Sequence, residues 1–198
     1  MDNIFLKFPT MEDKQEWLDY VADFKEDNPE ATPGGFKDNT IYEDWLEKLN
    51  NEHNNINLEE GRVPASFYFL MNGNRILGSI SIRHNLDNEM LSKFGGHIGY
   101  GIRPTERGKG YNKINLYLGL KICKEHGIKE VFMDADKENP ASWKTMESLG
   151  GINIREYYDD EYAHCVVKDY TINVDNAIEE NRKKYEHLLS DNIITKKL

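Results

Sequence analysis

The stretch from Gly95 to Asn112, GGHIGYGIRPTERGKGYN, holds the residues in this chain best suited to do chemistry. A short apolar strand runs into Pro104, then into a turn holding Arg107, Gly108, Lys109 and Gly110, then directly into a helix. Amides at a helix start have no intrahelical partner and carry partial positive charge. Glycines there let the main chain approach an anion closely, and Arg107 and Lys109 add full charges. The expected ligand is a pyrophosphate. A nucleotide P-loop would place Ser or Thr after its Gly-Lys, and a dinucleotide fingerprint would need a third glycine where Lys113 stands. Taken alone, RGKG also reads as a glycine-rich surface turn with two solvated basic residues.

The surrounding elements must position that turn. Ile4 to Phe8 reads as a strand, and Thr10 starts a helix with Asp13 completing a capping box. Trp17, Tyr20, Val21 and Phe24 then fall on one helical face. The segment from Asn28 to Gly35, NPEATPGG, is a loop by its Pro and Gly content. A second amphipathic helix turns Ile41, Trp45, Leu46 and Leu49 inward. Strands SFYFLM and RILGSISIRH flank Asn72-Gly73-Asn74, a strong hairpin signal. A loop from Asn85 to Phe94 leads to the strand His97 to Arg103.

After the basic turn, Tyr111 to His126 is a helix ended by Gly127, and Lys129 to Ala135 is a strand. Asn139 and Pro140 open another helix as N-cap and first residue, and it ends at Gly150-Gly151. Strands near Ile152–Tyr158 and His164–Val174 close the sheet, and Asp175 caps a charged last helix to about Leu189. The expected class is mixed α/β, with a single twisted, mostly antiparallel sheet, a central parallel strand pair from the crossover at Gly96 to Ala135, and flanking helices. The basic turn then sits at the carboxyl end of a strand, where such sheets bind ligands. Residues 1–174 form the domain, with 175–198 a helix and tail packed on or beside it.

Composition narrows the function classes. At 198 residues the chain is long enough for a core of its own, and its 30% charged content suits a soluble globular protein. No apolar run approaches membrane-spanning length and MDNIFLKF lacks a signal layout, so no membrane partner and a cytoplasmic location are expected. Cys123 and Cys165 read as buried free thiols, with no disulfide framework and no metal site. A net charge of −10 argues against nucleic acid and would suit a cationic acceptor, although most of these carboxylates read as a solvated face.

The run VPASFYFLMNG, ILGSISIRHNL, GGHIGYGIRPTERGKGY and DKENPASWKTMESLGG resembles the GNAT superfamily of N-acetyltransferases, in particular a branch of uncharacterised bacterial members. The resemblance covers Val63 to Gly151 and implies an acetyl-CoA-dependent transfer of an acetyl group to an amine by direct attack on the thioester, with no metal. It implies that main-chain groups around Ile102 and Arg103 meet the pantetheine arm like an added strand, and the developing oxyanion too. Arg107, Gly108, Lys109, Gly110, Tyr111 and Asn112 would hold the pyrophosphate, although relatives often carry Gly or Ala where Asn112 stands. Asn139 and Ser142 match the family's helix start near pantetheine.

An alkylammonium has a pKa near 10.4, so a base must help supply a neutral amine. His97 stands where many relatives carry a carboxylate and is the candidate base, with His84 next. The helix tyrosine that protonates the departing thiolate in many relatives is replaced by Met146. Tyr157, Tyr158, Tyr162 and Tyr170 in the closing strands, or water, are the substitutes, with Tyr170 the candidate. The acceptor is expected to be a small-molecule or peptide amine, and the closing strands and last helix offer a surface for a homodimer. The competing reading is a catalytically weak or inactive CoA-binding or protein-interaction module of the same fold.

Overall fold

The computed structural model describes residues 3–27 and 39–195, with side chains described up to residue 190. The expected loop from Asn28 to Gly35 therefore lies outside the described residues. Strand β1 (Ile4–Lys7) pairs antiparallel with β2 (Ala65–Asn72), which forms the hairpin with β3 (Arg75–Arg83), and β4 (Ile98–Ile102) lies antiparallel on β3. The hairpin loop is Gly73-Asn74, with Gly73 at φ 58° as a two-residue turn demands.

Two helices cover one face of this sheet, α1 (Lys14–Asp27) and α2 (Tyr42–Asn54). A 3-10 turn over Met11–Asp13 precedes α1, and Asp13 Oδ2 accepts from the Thr10 N–H at 2.9 Å, the predicted capping box. Trp17 stacks on Trp45 at 4.7 Å between centroids and on Phe69 at 5.2 Å, so flat aromatic surfaces join α1, α2 and β2. Ile41, expected inward, is exposed because α2 begins one residue later and Tyr42 takes the buried place.

The opposite face is packed by α4 (Tyr111–Glu125). Gly119 lets this helix approach β3, since a Cβ there would meet the Ile80 side chain at 2.4 Å. A short helix α3 (Glu89–Lys93) interrupts the expected loop before β4, capped by the Asn88 side chain. After α4, β5 (Glu130–Asp136) and α5 (Pro140–Glu147) follow, then β6 (Ile152–Asp159) and β7 (Cys165–Asn173), which pair antiparallel. Asn139 caps α5 as predicted, whereas Asn173, not Asp175, caps α6 (Val174–Tyr185).

The mixed α/β class holds, but the sheet is divided. One ladder runs β4-β3-β2-β1-β8, the other β5-β7-β6. Strands β4 and β5 meet only near their first residues, where the His97 N–H donates to Phe132 O at 2.8 Å. Gly96 permits this contact, because a Cβ there would lie 2.1 Å from Phe132 O. Beyond it the two strands part, so the central parallel pair is a fork, not a ladder. The parallel ladder is instead that of β1 with β8 (Leu189–Thr195), a strand that the sequence reading merges into the last helix and tail. Both cysteines are free, Cys123 buried and Cys165 half-buried.

Candidate active site

A cleft of about 1330 Å³ runs from the turn at Arg107 along β4 and β3 to α2. Its loop end follows from local sequence. Arg103 and Pro104 break β4 into a 3-10 turn, after which Gly108 and Gly110 adopt φ 77° and 83°. No heavy atom beyond their chain neighbours lies within 4 Å of a Cβ built on either glycine, so these positions face open space. Among the described residues, the amides from Gly108 to Asn112 donate to no backbone carbonyl, while those of Arg107 and Lys113 on either side do. Five consecutive free donors at the start of a fifteen-residue helix form an anion cradle.

The cations at this end are arranged differently from the sequence expectation. Arg107 pairs with Asp27 at 2.6 Å, and Lys109 turns away to Glu106 at 2.7 Å and does not line the cleft. Lys113 does line it and makes no ion pair among the described residues. In the sequence Lys113 stands out only as a missing glycine, yet in the first turn of α4 it lines the cleft where an added charge is useful. Asn112 lines the cradle too, its Nδ2 3.3 Å from Thr145 Oγ1 and its buried Oδ1 without a partner among the described residues, an acceptor that suits a ligand N–H or O–H.

Strand β4 supplies the middle of the cleft. It is the edge of the five-stranded sheet, and Arg103 N–H and His97 O both bond to β3. Antiparallel alternation then turns the main-chain groups of Tyr100 and Ile102 toward the open fork. Arg103, expected beside Ile102, belongs elsewhere: its amide is used by Leu77 O, and its buried guanidinium bonds to Asp23 and Glu16 of α1. It anchors α1 to the end of β4 and does not line the cleft.

Across the fork, α5 brings Asn139 and Ser142 to the cleft wall. Asn139 Oδ1 accepts from the Ser142 N–H at 3.3 Å, and the Tyr100 hydroxyl lies 3.1 Å from Ser142 O and 3.2 Å from its Oγ. Burial pushes the Tyr100 phenol up to about 12, so it keeps its proton at neutral pH. Sequence reasoning misses this tyrosine because within HIGYGI it reads as a packing residue of an ordinary strand.

Neither candidate catalytic residue reaches the cleft. His97 Nδ1 accepts the Phe132 N–H at 3.0 Å, which places the ring proton on Nε2 and engages the lone pair a base would need. Burial also lowers its pKa. Here His97 forms a clasp between β4 and β5. Tyr170 is fully buried in the core, where its hydroxyl donates to Glu147 Oε1 at 2.8 Å. Burial and that bond raise its pKa. His84 likewise stands outside, its Nε2 2.8 Å from Ser66 Oγ and its ring stacked on His126 at 3.8 Å.

The far end of the cleft is lined by α2 and by β3. Glu52 accepts from Arg62 Nε and Nη2 at 3.1 and 2.6 Å, while Asp44 lines the cleft without an ion pair among the described residues. Ser79, Ser81 and Arg83 alternate on the cleft face of β3. The whole arrangement can grip an extended ligand by its anionic end and hold its other end in a polar pocket beside neutral hydroxyls.

Known proteins share this fold. Residues 4–152 match the family model for the acetyltransferase (GNAT) domain. Among solved structures, a protein described as a probable acetyltransferase is 17% identical, with a TM-score of 0.65 over 87% of this chain and 94% of that one. The ribosomal alpha-N-protein acetyltransferase RimL in complex with coenzyme A is 16% identical, with a TM-score of 0.62 over 88% and 96%. The microcin self-immunity acetyltransferase MccE, solved with acetyl-CoA and AMP, is 19% identical, with a TM-score of 0.61 over 87% and 93%. A comparison with curated protein sequences finds no match.

Proposed function

The chain belongs to the GNAT acetyltransferase family, and from that premise we propose that it transfers an acetyl group from acetyl-CoA to an amine. The observation that carries this reading is the row of free amides from Gly108 to Asn112 at the start of α4, continuous with the open edge of β4. These groups suit coenzyme A: an anion cradle for the diphosphate, then strand-like main-chain donors and acceptors for the amide-bearing arm. Acetyl-CoA, when bound, supplies the activated acetyl thioester.

The chain's own residues supply position and proton traffic. Gly108 to Asn112, with Lys113, bind the diphosphate, and Arg107 adds charge once Asp27 yields it. Tyr100 and Ile102 orient the arm through their backbone groups, and α5 closes the other side through Asn139 and Ser142. The Tyr100 phenol, neutral and hydrogen-bonded to Ser142, is the proton donor available at the fork for a leaving thiolate. Asp44, unpaired among the described residues on the α2 wall, is the carboxylate best placed to receive a proton from an incoming ammonium. Phe24 of α1 and Trp45 and Leu49 of α2 give the cleft an apolar wall.

The second reading, a CoA-binding module without turnover, is favoured by the buried Met146 where relatives carry tyrosine and by the engaged lone pair of His97. Calorimetry with coenzyme A and acetyl-CoA, followed by thiol release across a broad amine panel, separates the outcomes. Binding with turnover supports the transferase. Binding without turnover on any amine supports the module, and no binding removes both.

A further inference from the structure

Arg83 ends β3 on the cleft face, five residues along the strand from Gly78, which pairs with Ile102 beside the anion cradle. At about 3.3 Å per residue that is about 17 Å, on the scale of an extended pantetheine arm. Its side chain therefore stands at the acceptor end of the cleft. Each of the other six arginines has a carboxylate within 4 Å: Arg62, Arg75, Arg103, Arg107, Arg155 and Arg182. Arg83 has none among the described residues.

The group is nevertheless half-buried and held. Its Nη1 donates to Gly95 O at 3.0 Å and Gly96 O at 2.7 Å, which fixes the guanidinium plane. Nε and Nη2 make no hydrogen bond among the described residues. The charges that face it are Arg62, which repels, and Glu52 and Asp134, which attract from beyond ion-pair distance. Glu52 is already bonded to Arg62, and Asp134 to the Gly95 N–H at 2.7 Å. One cleft-facing position nearer the cradle, the Ser81 hydroxyl also lines the cleft and makes no side-chain hydrogen bond among the described residues. A fixed, partly desolvated guanidinium with an unused edge is a receptor for a planar oxyanion.

We propose that the acceptor amine carries an anionic group, a carboxylate or a phosphate, which pairs with Arg83. This rests on the acetyl-transfer reading and narrows it to amines of that class. It also sets the local charge of the acceptor pocket against the chain's net −10, which alone would favour polycationic amines.

The test uses the full chain, acetyl-CoA and matched amine pairs: glycylglycine against its amide, phosphoethanolamine against ethanolamine, with spermidine as polycation. The anionic member of at least one pair is expected to show kcat/KM at least tenfold above its neutral twin, and the pair that responds tells carboxylate from phosphate. Arg83→Gln should bring that ratio within about twofold, whereas Arg83→Lys should keep most of it. Melting shifts with the same pairs under saturating coenzyme A give a second readout that needs no turnover and no variant. Preference for neutral or polycationic amines, an unchanged ratio in Arg83→Gln, or no difference between twins in either readout overturns the proposal. Such a result with coenzyme A still bound and an amine still acetylated leaves the parent reading standing; loss of coenzyme A binding removes the parent reading itself.

Discussion

The Asp27 carboxylate lies 2.6 Å from the guanidinium of Arg107, so the last turn of α1 rests on the anion cradle. Both side chains are more than a third exposed, and such pairs are worth only about 0–1 kcal/mol. A diphosphate must compete with this carboxylate for the arginine. Asp27→Asn should therefore tighten coenzyme A binding by about two- to fivefold at low salt, with the gain shrinking as salt screens the site. Titration calorimetry at two ionic strengths measures it, and an unchanged dissociation constant at low salt would show that Arg107 does not contact the ligand.

Gly110 stands at φ 83°, and a Cβ at this position would meet only open space. Gly110→Glu adds backbone strain of about 1–2 kcal/mol and a negative charge in the cradle without striking other residues. The variant should stay folded with a melting temperature lowered by roughly 3–8 °C, while coenzyme A affinity falls at least about a hundredfold. Gly108→Glu should behave alike. Normal affinity in either variant would refute the anion assignment.

Tyr100 touches α5 across the fork, and its phenol is the neutral hydroxyl at the point where a thiolate would leave. Tyr100→Phe should lower kcat about 10²- to 10³-fold with coenzyme A affinity within about twofold of the parent. A parallel loss of affinity would instead make the hydroxyl a structural tie between β4 and α5.

Stability should depend on pH through His84. Burial, with His126 and His53 nearby, pushes its pKa down to about 4, against an ordinary value of 6.5. The folded ring is thus neutral where the unfolded one takes a proton. Its contribution is fully present above about pH 6.5, is lost as pH falls toward 4, and amounts to on the order of 2–3 kcal/mol by then. Denaturation midpoints for the parent and His84→Gln at pH 7.5, 5.5 and 4.5 should converge as acid is added, the carboxylates they share titrating alike in both. A constant gap would mean the histidine cluster is not titrating.

Features set by neighbouring residues are legible in the sequence. The cradle follows from Gly108 and Gly110 before a helix, the hairpin from Gly73, and the start of α5 from Asn139-Pro140. Features set by distant partners are not. His97 sits at the right place on its strand for a base, but its ring is claimed by an amide 35 residues away. Arg103 and Arg107 look alike in sequence, and only α1 decides that one is buried in ion pairs while the other borders the cleft. Strand β8 escapes notice because its polar run, SDNIIT, lacks alternation and takes its order from pairing with β1. Arg83 carries no signal of its own, since an unspent guanidinium edge is a property of its surroundings.

The contact of Gly96 with the Phe132 carbonyl has a consequence for how this scaffold can change. The apex of the wedge is held by main-chain contact and by the His97 ring that accepts the Phe132 N–H, and neither is part of the cleft lining. Drift in the residues of α2 can thus recast the far end of the cleft while the opening of the fork keeps its width. On the acetyl-transfer reading, selectivity and cofactor grip are then separable traits, free to vary one without the other.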